Sequence, residues 1–232
     1  MRQLPLGVQL GVALRFETFH AGANGEAVAA LRSLAAGPRR PPLWIYGPPG
    51  SGKSHLLQAA CAEAGARGLT AAWLPLRALR ADGPGLLSGF ERLELVALDD
   101  LDAVAGDAAW ERALFTFYNE FLERGGRLAA AAARAPAALP FGLPDLASRF
   151  AAAEVHRLAP LDEAEQAEAL KRRARNRGLE LPDETLTYLT RRAPRDFAAL
   201  CRLLDELDLE SLAAQRRLTV PFVRDWLARG GN

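Results

Sequence analysis

The sequence predicts an α/β fold in which a largely parallel sheet is followed by a small block made only of helices. Three observations in its 232 residues predict it. Short apolar runs alternate with longer stretches of helical periodicity. One of those runs, Trp44-Ile45-Tyr46, feeds a glycine-rich loop that opens directly into helix-forming residues. Beyond Pro160 the strand-like runs stop and helical patterning continues alone.

Taken in order, Phe16 and Phe19 precede a helix expected over 26–34 and suit a hydrophobic staple at its entrance. The run 44–46 is the first strand, and residues 55–63 form the helix after the glycine-rich loop. A second strand is expected over 70–76. A third spans 93–98, apolar throughout except for Glu94, and ends in Asp99-Asp100. Residues 108–123 place Trp110, Leu114, Phe117, Tyr118 and Phe121 at helical spacing, and Gly125-Gly126 stops that helix. The alanine-rich stretch 127–133 favours helix by propensity, yet its place between a helix and a proline-rich turn suits a strand, and it is assigned as one. Residues 154–158 supply the last strand. Then Asp162 caps a helix with Glu163 and Glu165 in its first turn and Lys171, Arg172, Arg173 and Arg175 later, complementing the helix dipole at both ends. Gly178 ends it. Further helices follow Pro182, run from about 194 to 213, and follow Thr219 through Trp226. The basic run 171–177 is expected to spread around its helix as a solvated face rather than a nucleic-acid contact.

The loop is a complete P-loop: Gly47, Pro48, Pro49, Gly50, Ser51, Gly52, Lys53, Ser54. Its glycines let successive backbone N–H groups turn inward around β- and γ-phosphates, Lys53 adds a flexible cation, and the Ser54 hydroxyl can hold Mg²⁺. The helix that starts with Lys53, Ser54 and His55 presents its positive end to the phosphates. A buried strand that delivers a carboxylate at its C-terminal end complements this, and Asp99 is placed to orient Mg²⁺. Asp100 beside it is the candidate to polarise an attacking water. A nucleoside triphosphate with Mg²⁺ is therefore the expected ligand.

Composition excludes several other classes. No apolar stretch reaches membrane-spanning length and the N-terminus lacks a basic-then-apolar leader, so a cytoplasmic protein is expected. Cys61 and Cys201 sit inside helical patterns and read as small buried residues, not as a disulfide framework. The formal net charge of +1 argues against a chain whose main business is coating nucleic acid.

The P-loop, the run Asp99-Asp100-Leu101-Asp102-Ala103-Val104-Ala105-Gly106-Asp107 and an aromatic helix ending in Phe117-Tyr118-Asn119 together resemble the AAA+ ATPases of the bacterial replication-initiator (DnaA) family. Leu143-Pro144-Asp145-Leu146-Ala147-Ser148-Arg149-Phe150 is similar to the box that carries an arginine finger in that family, and Leu218-Thr219-Val220-Pro221-Phe222-Val223-Arg224 resembles the shortened Hda-type regulators. The resemblance implies an AAA+ P-loop NTPase with a five-stranded parallel sheet in a base (residues 9–158), a small helical lid (159–232) and an N-terminal tail (1–8), with no residues left for the initiator's helix-turn-helix domain.

What the resemblance implies for single residues is specific. Arg149 would be the finger that reaches a neighbour's γ-phosphate. Arg195, in Ala193-Pro194-Arg195-Asp196-Phe197, would be the lid arginine that contacts bound nucleotide. Gln3-Leu4-Pro5-Leu6 resembles the short motif by which such regulators attach to the DNA polymerase III β sliding clamp, an extended peptide stiffened by proline that places two leucines in an apolar pocket. Residues Phe16 to His20 with Gly22 and Asn24 resemble the region beside the adenine. One departure stands out. Where relatives carry a polar residue at the end of the fourth strand, this chain has Ala130-Ala131-Ala132-Ala133-Arg134, and alanine cannot hydrogen-bond a γ-phosphate. Weak intrinsic hydrolysis is expected. The implied activity is clamp-bound stimulation of ATP hydrolysis by DnaA, which inactivates it and prevents re-initiation. DNA contact would be mostly indirect through the clamp, with nucleoid association through the replisome, and a homo-oligomer is compatible with the pattern.

Two competing readings have distinct signatures. An initiator-like or helicase-loader ATPase would bind DNA tightly and salt-sensitively by itself. A P-loop small-molecule kinase would transfer phosphate stoichiometrically to a metabolite and would carry a closing lid between strands, whereas the extra helices here form one C-terminal block.

Overall fold

A computed structural model describes residues 14–37, 41–192, 197–214 and 216–229. The sheet is β1 (Leu43–Tyr46), β2 (Ala71–Pro75), β3 (Leu95–Asp99), β4 (Arg127–Ala132) and β5 (Glu154–Arg157), in the order β2-β3-β4-β1-β5 with all neighbours parallel. Helices α1 (Gly25–Ala36) and α2 (Lys53–Ala66) cover one face. The short α3 (Leu76–Leu79), α4 (Ala108–Glu123) and α5 (Pro144–Ala151) lie on the other side.

Strand alternation divides the core in two. Leu43, Ile45, Leu95, Ala97, Ala129 and Ala131 face α1 and α2, while Trp44, Val96, Leu98, Leu128, Ala130 and Ala132 face α4 and α5. This settles the alanine run as a strand. Buried on both faces, β4 contributes its backbone to ladders with β1 and β3, and its small side chains leave room for bulky neighbours such as Trp44, which lies in register with Ala130. Tertiary pairing outweighs the roughly 0.5 kcal/mol per residue by which alanine prefers helix.

The predicted helix over 108–123 is α4, capped where Asp107 Oδ1 accepts from the N–H groups of Ala109 (3.0 Å) and Trp110 (3.3 Å). The lid comprises α6 (Glu163–Asn176), α7 (Asp183–Arg192), α8 (Phe197–Ala214) and α9 (Val220–Ala228) around Leu170, Leu204, Leu207, Phe222 and Val223. Asp162 and Glu165 form a capping box at the start of α6.

Two expectations change. The basic run 171–177 is a solvated face only in part: Arg172 and Arg175 are exposed, but Arg173 donates two hydrogen bonds to Asp205 (2.9 and 2.6 Å), and Arg177 pairs with Asp205 (3.1 Å) and Asp208 (3.1 Å). Arg172 reaches the base, donating to the Phe19 carbonyl at 3.1 Å. The i, i+4 spacing of Arg173 and Arg177 puts both on the side facing α8, where its carboxylates wait. Cys61 and Cys201 lie in α2 and α8, and each is half-buried rather than buried. Burial still pushes the Cys61 thiol up to about 12. No helix among the described residues is long and apolar enough to cross a membrane.

Candidate nucleotide site

The site forms at the sheet's C-terminal edge, where β1 and β3 end on either side of β4. From β1 the chain turns through the P-loop into α2. Gly47 is held so close to the last strand's exit that a Cβ there would meet the Leu158 carbonyl oxygen at 2.6 Å. Gly52 has φ +89°, a left-handed conformation that frees the first N–H groups of α2, and an added Cβ would strike Phe19 Cε2 at 2.5 Å. Lys53 Nζ donates to the carbonyls of Gly47 (2.8 Å) and Pro48 (3.0 Å), so its ammonium stays over the loop. Burial lowers its pKa, against the pull of Asp99, Asp100 and Asp102.

Asp99, buried at the end of β3, accepts hydrogen bonds from Trp73 Nε1 (3.1 Å) and the Asp100 N–H (2.9 Å), and contacts the Ser54 hydroxyl. Burial raises its pKa, with the neighbouring Asp100 adding to the shift and the Ser54 and Trp73 donors opposing it. Asp100 adopts φ +54°, the one non-glycine left-handed residue among those described, and its carboxylate lies 3.4 Å from Arg77 Nε. Arg77 also pairs with Asp102 (2.9 Å), whose other oxygen accepts the Ala133 N–H at 3.0 Å. The β4 end therefore meets the site through backbone, as its alanines require.

These residues fit a Mg²⁺–nucleotide. The Ser51 hydroxyl is buried inside the loop without a hydrogen-bond partner among the described residues, an acceptor or donor left for a ligand or water. Ser54 and Asp99 touch each other, which suits a cation held by one hydroxyl, phosphate oxygens and a carboxylate acting through water. No group of three or more His, Cys, Asp or Glu able to hold a metal alone occurs among the described residues. Ser54 and Asp99 would hold the ion together with the phosphates, and the bound metal would neutralise their charge.

His55 is placed differently from its neighbours in the loop. Its Nε2–H donates to the Arg15 carbonyl at 2.9 Å, Thr18 Oγ1 lies at 3.2 Å, and Phe19 packs edge-on at 5.3 Å. It thereby joins the leader, the segment 14–24 ahead of α1, to α2 and lines a small cleft with Leu14, Thr18, Arg173, Asn176 and Arg177, between base and lid. Asn24 pins the lid's root, exchanging hydrogen bonds with the Ala159 carbonyl (3.1 Å) and N–H (2.8 Å). Arg195, Gln3, Leu4, Pro5 and Leu6 lie outside the described residues.

Arg149 sits in the last turn of α5, exposed, with no hydrogen-bond or ion-pair partner for its guanidinium among the described residues. Its carbonyl accepts from Tyr118 Oη at 3.2 Å. Four residues escaped the sequence reading: Trp73, Arg77, Glu111 and, as more than core, Tyr118. Only Glu111 left a signal, a charged residue one position after Trp110 on the apolar face of α4.

Together, the strand order, the P-loop over β1, the carboxylate ending β3 and the helical block after β5 define an AAA+ P-loop NTPase. Two family models match the chain: "Hda, lid domain" over residues 162–227 and "Bacterial DnaA ATPase domain" over residues 10–70. Among solved structures, domain III of the Thermotoga maritima replication initiation protein DnaA superposes with a TM-score of 0.75 at 23% identity, covering 92% of this chain and 95% of that one. AMPPCP-bound DnaA from Aquifex aeolicus gives 0.65 at 23%, covering 88% and 68%. The Thermotoga maritima RuvB Holliday junction branch migration motor gives 0.59 at 20%, covering 91% and 72%. The chain is an Hda/DnaA-related AAA+ protein.

Proposed function

We propose that this protein binds an adenine nucleotide with Mg²⁺ and, attached to the DNA sliding clamp, stimulates ATP hydrolysis by the replication initiator DnaA. The observation that carries this reading is Arg149: an exposed guanidinium with no hydrogen-bond or ion-pair partner among the described residues, on a helix held against the nucleotide-binding base of a chain whose lid matches the Hda model. A finger supplied in trans needs all of these. It has to be free, it has to be stiff, and it has to stand on a body that the nucleotide can organise.

In this reading the P-loop, Ser54, Asp99 and Arg195 bind ADP or ATP and fix the lid angle. The base–lid contacts Arg172 to Phe19 and Asn24 to Ala159 support such a link, because they run from the leader beside the P-loop to the start of the lid. Arg149 would then offset the charge that develops as water attacks the initiator's γ-phosphorus and the bond to the β–γ bridging oxygen breaks, leaving ADP and phosphate. Asp100 is the candidate for the chain's own weak hydrolysis, where its pairing with Arg77 and the alanines at the end of β4 both disfavour rapid turnover. Residues Gln3 to Leu6 would bind the clamp, and such tethering raises apparent affinity about 10²–10⁴-fold. A homo-oligomer through the same Arg149 face is compatible with this scheme.

The test is Arg149→Ala, assayed for DnaA ATP hydrolysis with clamp-loaded DNA. The stimulation should fall to the level without regulator. Undiminished stimulation would eliminate the finger assignment, and strong salt-sensitive DNA binding by the isolated chain would favour an initiator-like ATPase instead.

A further inference from the structure

Glu111 is the least expected buried charge in the base. It is 1% exposed, on the face of α4 that also carries Leu114 and Tyr118, and it has no ion-pair partner among the described residues. Both carboxylate oxygens are used by backbone. Oε1 accepts from the Gly106 N–H (2.7 Å) and the Gly142 N–H (3.0 Å), and Oε2 accepts from the Leu143 N–H (2.7 Å). A buried carboxylate costs far too much to survive as filler, and three amide donors are what makes it tolerable.

The donors come from two separate loops. Gly106 belongs to the segment that follows Asp99-Asp100 and contains Asp102. Gly142 and Leu143 lead into α5, whose N-cap is Leu143, an apolar residue that offers no side-chain cap. Glu111 thus clamps the entrance of α5 to the loop beyond the strand-end carboxylates, and its negative charge lies at the positive end of that helix. Seven residues further along α4, two turns on and on the same face, Tyr118 Oη donates to the carbonyl of Arg149 itself at 3.2 Å. Next to Arg149, Phe150 is wedged among Trp44 (5.2 Å), Tyr118 (5.5 Å) and Phe141 (5.6 Å). Both ends of α5 are therefore held by one helix.

We propose that Glu111 and Tyr118 are positioning residues that set where the Arg149 guanidinium stands relative to the nucleotide-side loop. This rests on Arg149 acting on a partner's triphosphate. Neither side chain touches the reacting atoms. They act by removing the freedom of α5 to tilt, and a misplacement of about 1 Å in such a group costs up to about 100-fold in rate.

The test uses the full chain with clamp-loaded DNA and ATP-charged DnaA, comparing Glu111→Gln, Tyr118→Phe and Arg149→Ala. Glutamine keeps the shape but turns an NH₂ toward one of the three amides. The maximal rate of partner hydrolysis should fall about tenfold in Glu111→Gln and about threefold in Tyr118→Phe, while the half-saturating regulator concentration and the chain's own ADP affinity stay within about twofold. Single variants with a wild-type maximal rate overturn the assignment, as does a loss that appears in the half-saturating concentration and not in the maximal rate. Tyr118→Phe carries the test by itself if Glu111→Gln does not fold. Should Arg149→Ala stimulate like wild type, the functional reading falls. Positioning is then decided on the isolated chain by amide exchange over residues 142–151: about tenfold faster exchange in either single variant supports it, unchanged exchange overturns it.

Discussion

Replacing Gly52 by alanine tests how the leader and the P-loop are built into each other. The glycine has φ +89°, and an L-residue in the left-handed region costs about 1–2 kcal/mol. The new Cβ would also lie 2.5 Å from Phe19 Cε2, 3.2 Å from Cζ and 3.6 Å from Cδ2. Phe19 cannot simply swing away, because it is packed into the core beside α1 and α2 and against His55. Forcing such a side chain aside costs about 1–3 kcal/mol, so the whole change should destabilise the base by about 2–5 kcal/mol. Phe19→Leu removes the two close atoms and keeps a group near the third, which is at ordinary contact distance. On that background Gly52→Ala should therefore cost only its backbone share, giving a coupling of about 1–3 kcal/mol in a double-mutant cycle. Urea unfolding followed by tryptophan fluorescence reads this well, since Trp44, Trp73 and Trp110 are in the base and only Trp226 is in the lid. A loss below about 0.5 kcal/mol for Gly52→Ala would refute the left-handed assignment. Additivity within about 0.5 kcal/mol would refute Phe19 as the obstacle.

Three further outcomes are expected. Burial lowers the His55 pKa, partly opposed by its hydrogen bond to the Arg15 carbonyl and reinforced by Arg173, so below its ordinary value of 6.5 the unfolded chain binds the proton first. Stability conferred by neutral His55 is then lost as pH falls from 6.5 toward the lower folded value, and comparing urea midpoints of wild type and His55→Gln should show a smaller acid loss in the variant. Asp205→Asn strips both Arg173 and Arg177 of a partner with 29% side-chain exposure; discounted for that exposure, the lid should lose about 2 kcal/mol, seen as faster amide exchange in α6 and α8. Lys53→Ala should weaken ADP and ATP binding about 100-fold by calorimetry, the ~3 kcal/mol of a charge-assisted contact, without lowering the stability of the nucleotide-free chain, because its ammonium already resists burial.

The amino-acid sequence alone determined those parts whose physics is local. The P-loop, the carboxylate closing β3, the Asp107 cap of α4 and the Asp162–Glu165 box of α6 each depend on residues a few positions apart, so their spacing is their structure. Strand 127–133 was legible only by its place in the chain, since its alanines gain strand geometry from neighbours on both sides and not from their own preference. Tertiary structure decided the rest. Glu111 reaches Gly142 and Leu143, Trp73 reaches Asp99, Arg77 reaches Asp100, and Arg173 with Arg177 reach Asp205 across gaps of tens of residues that no local pattern spans. A side chain's charge and length are written in the sequence; which opposite group lies within 3 Å of it is settled only when sheet order and helix packing bring distant segments together.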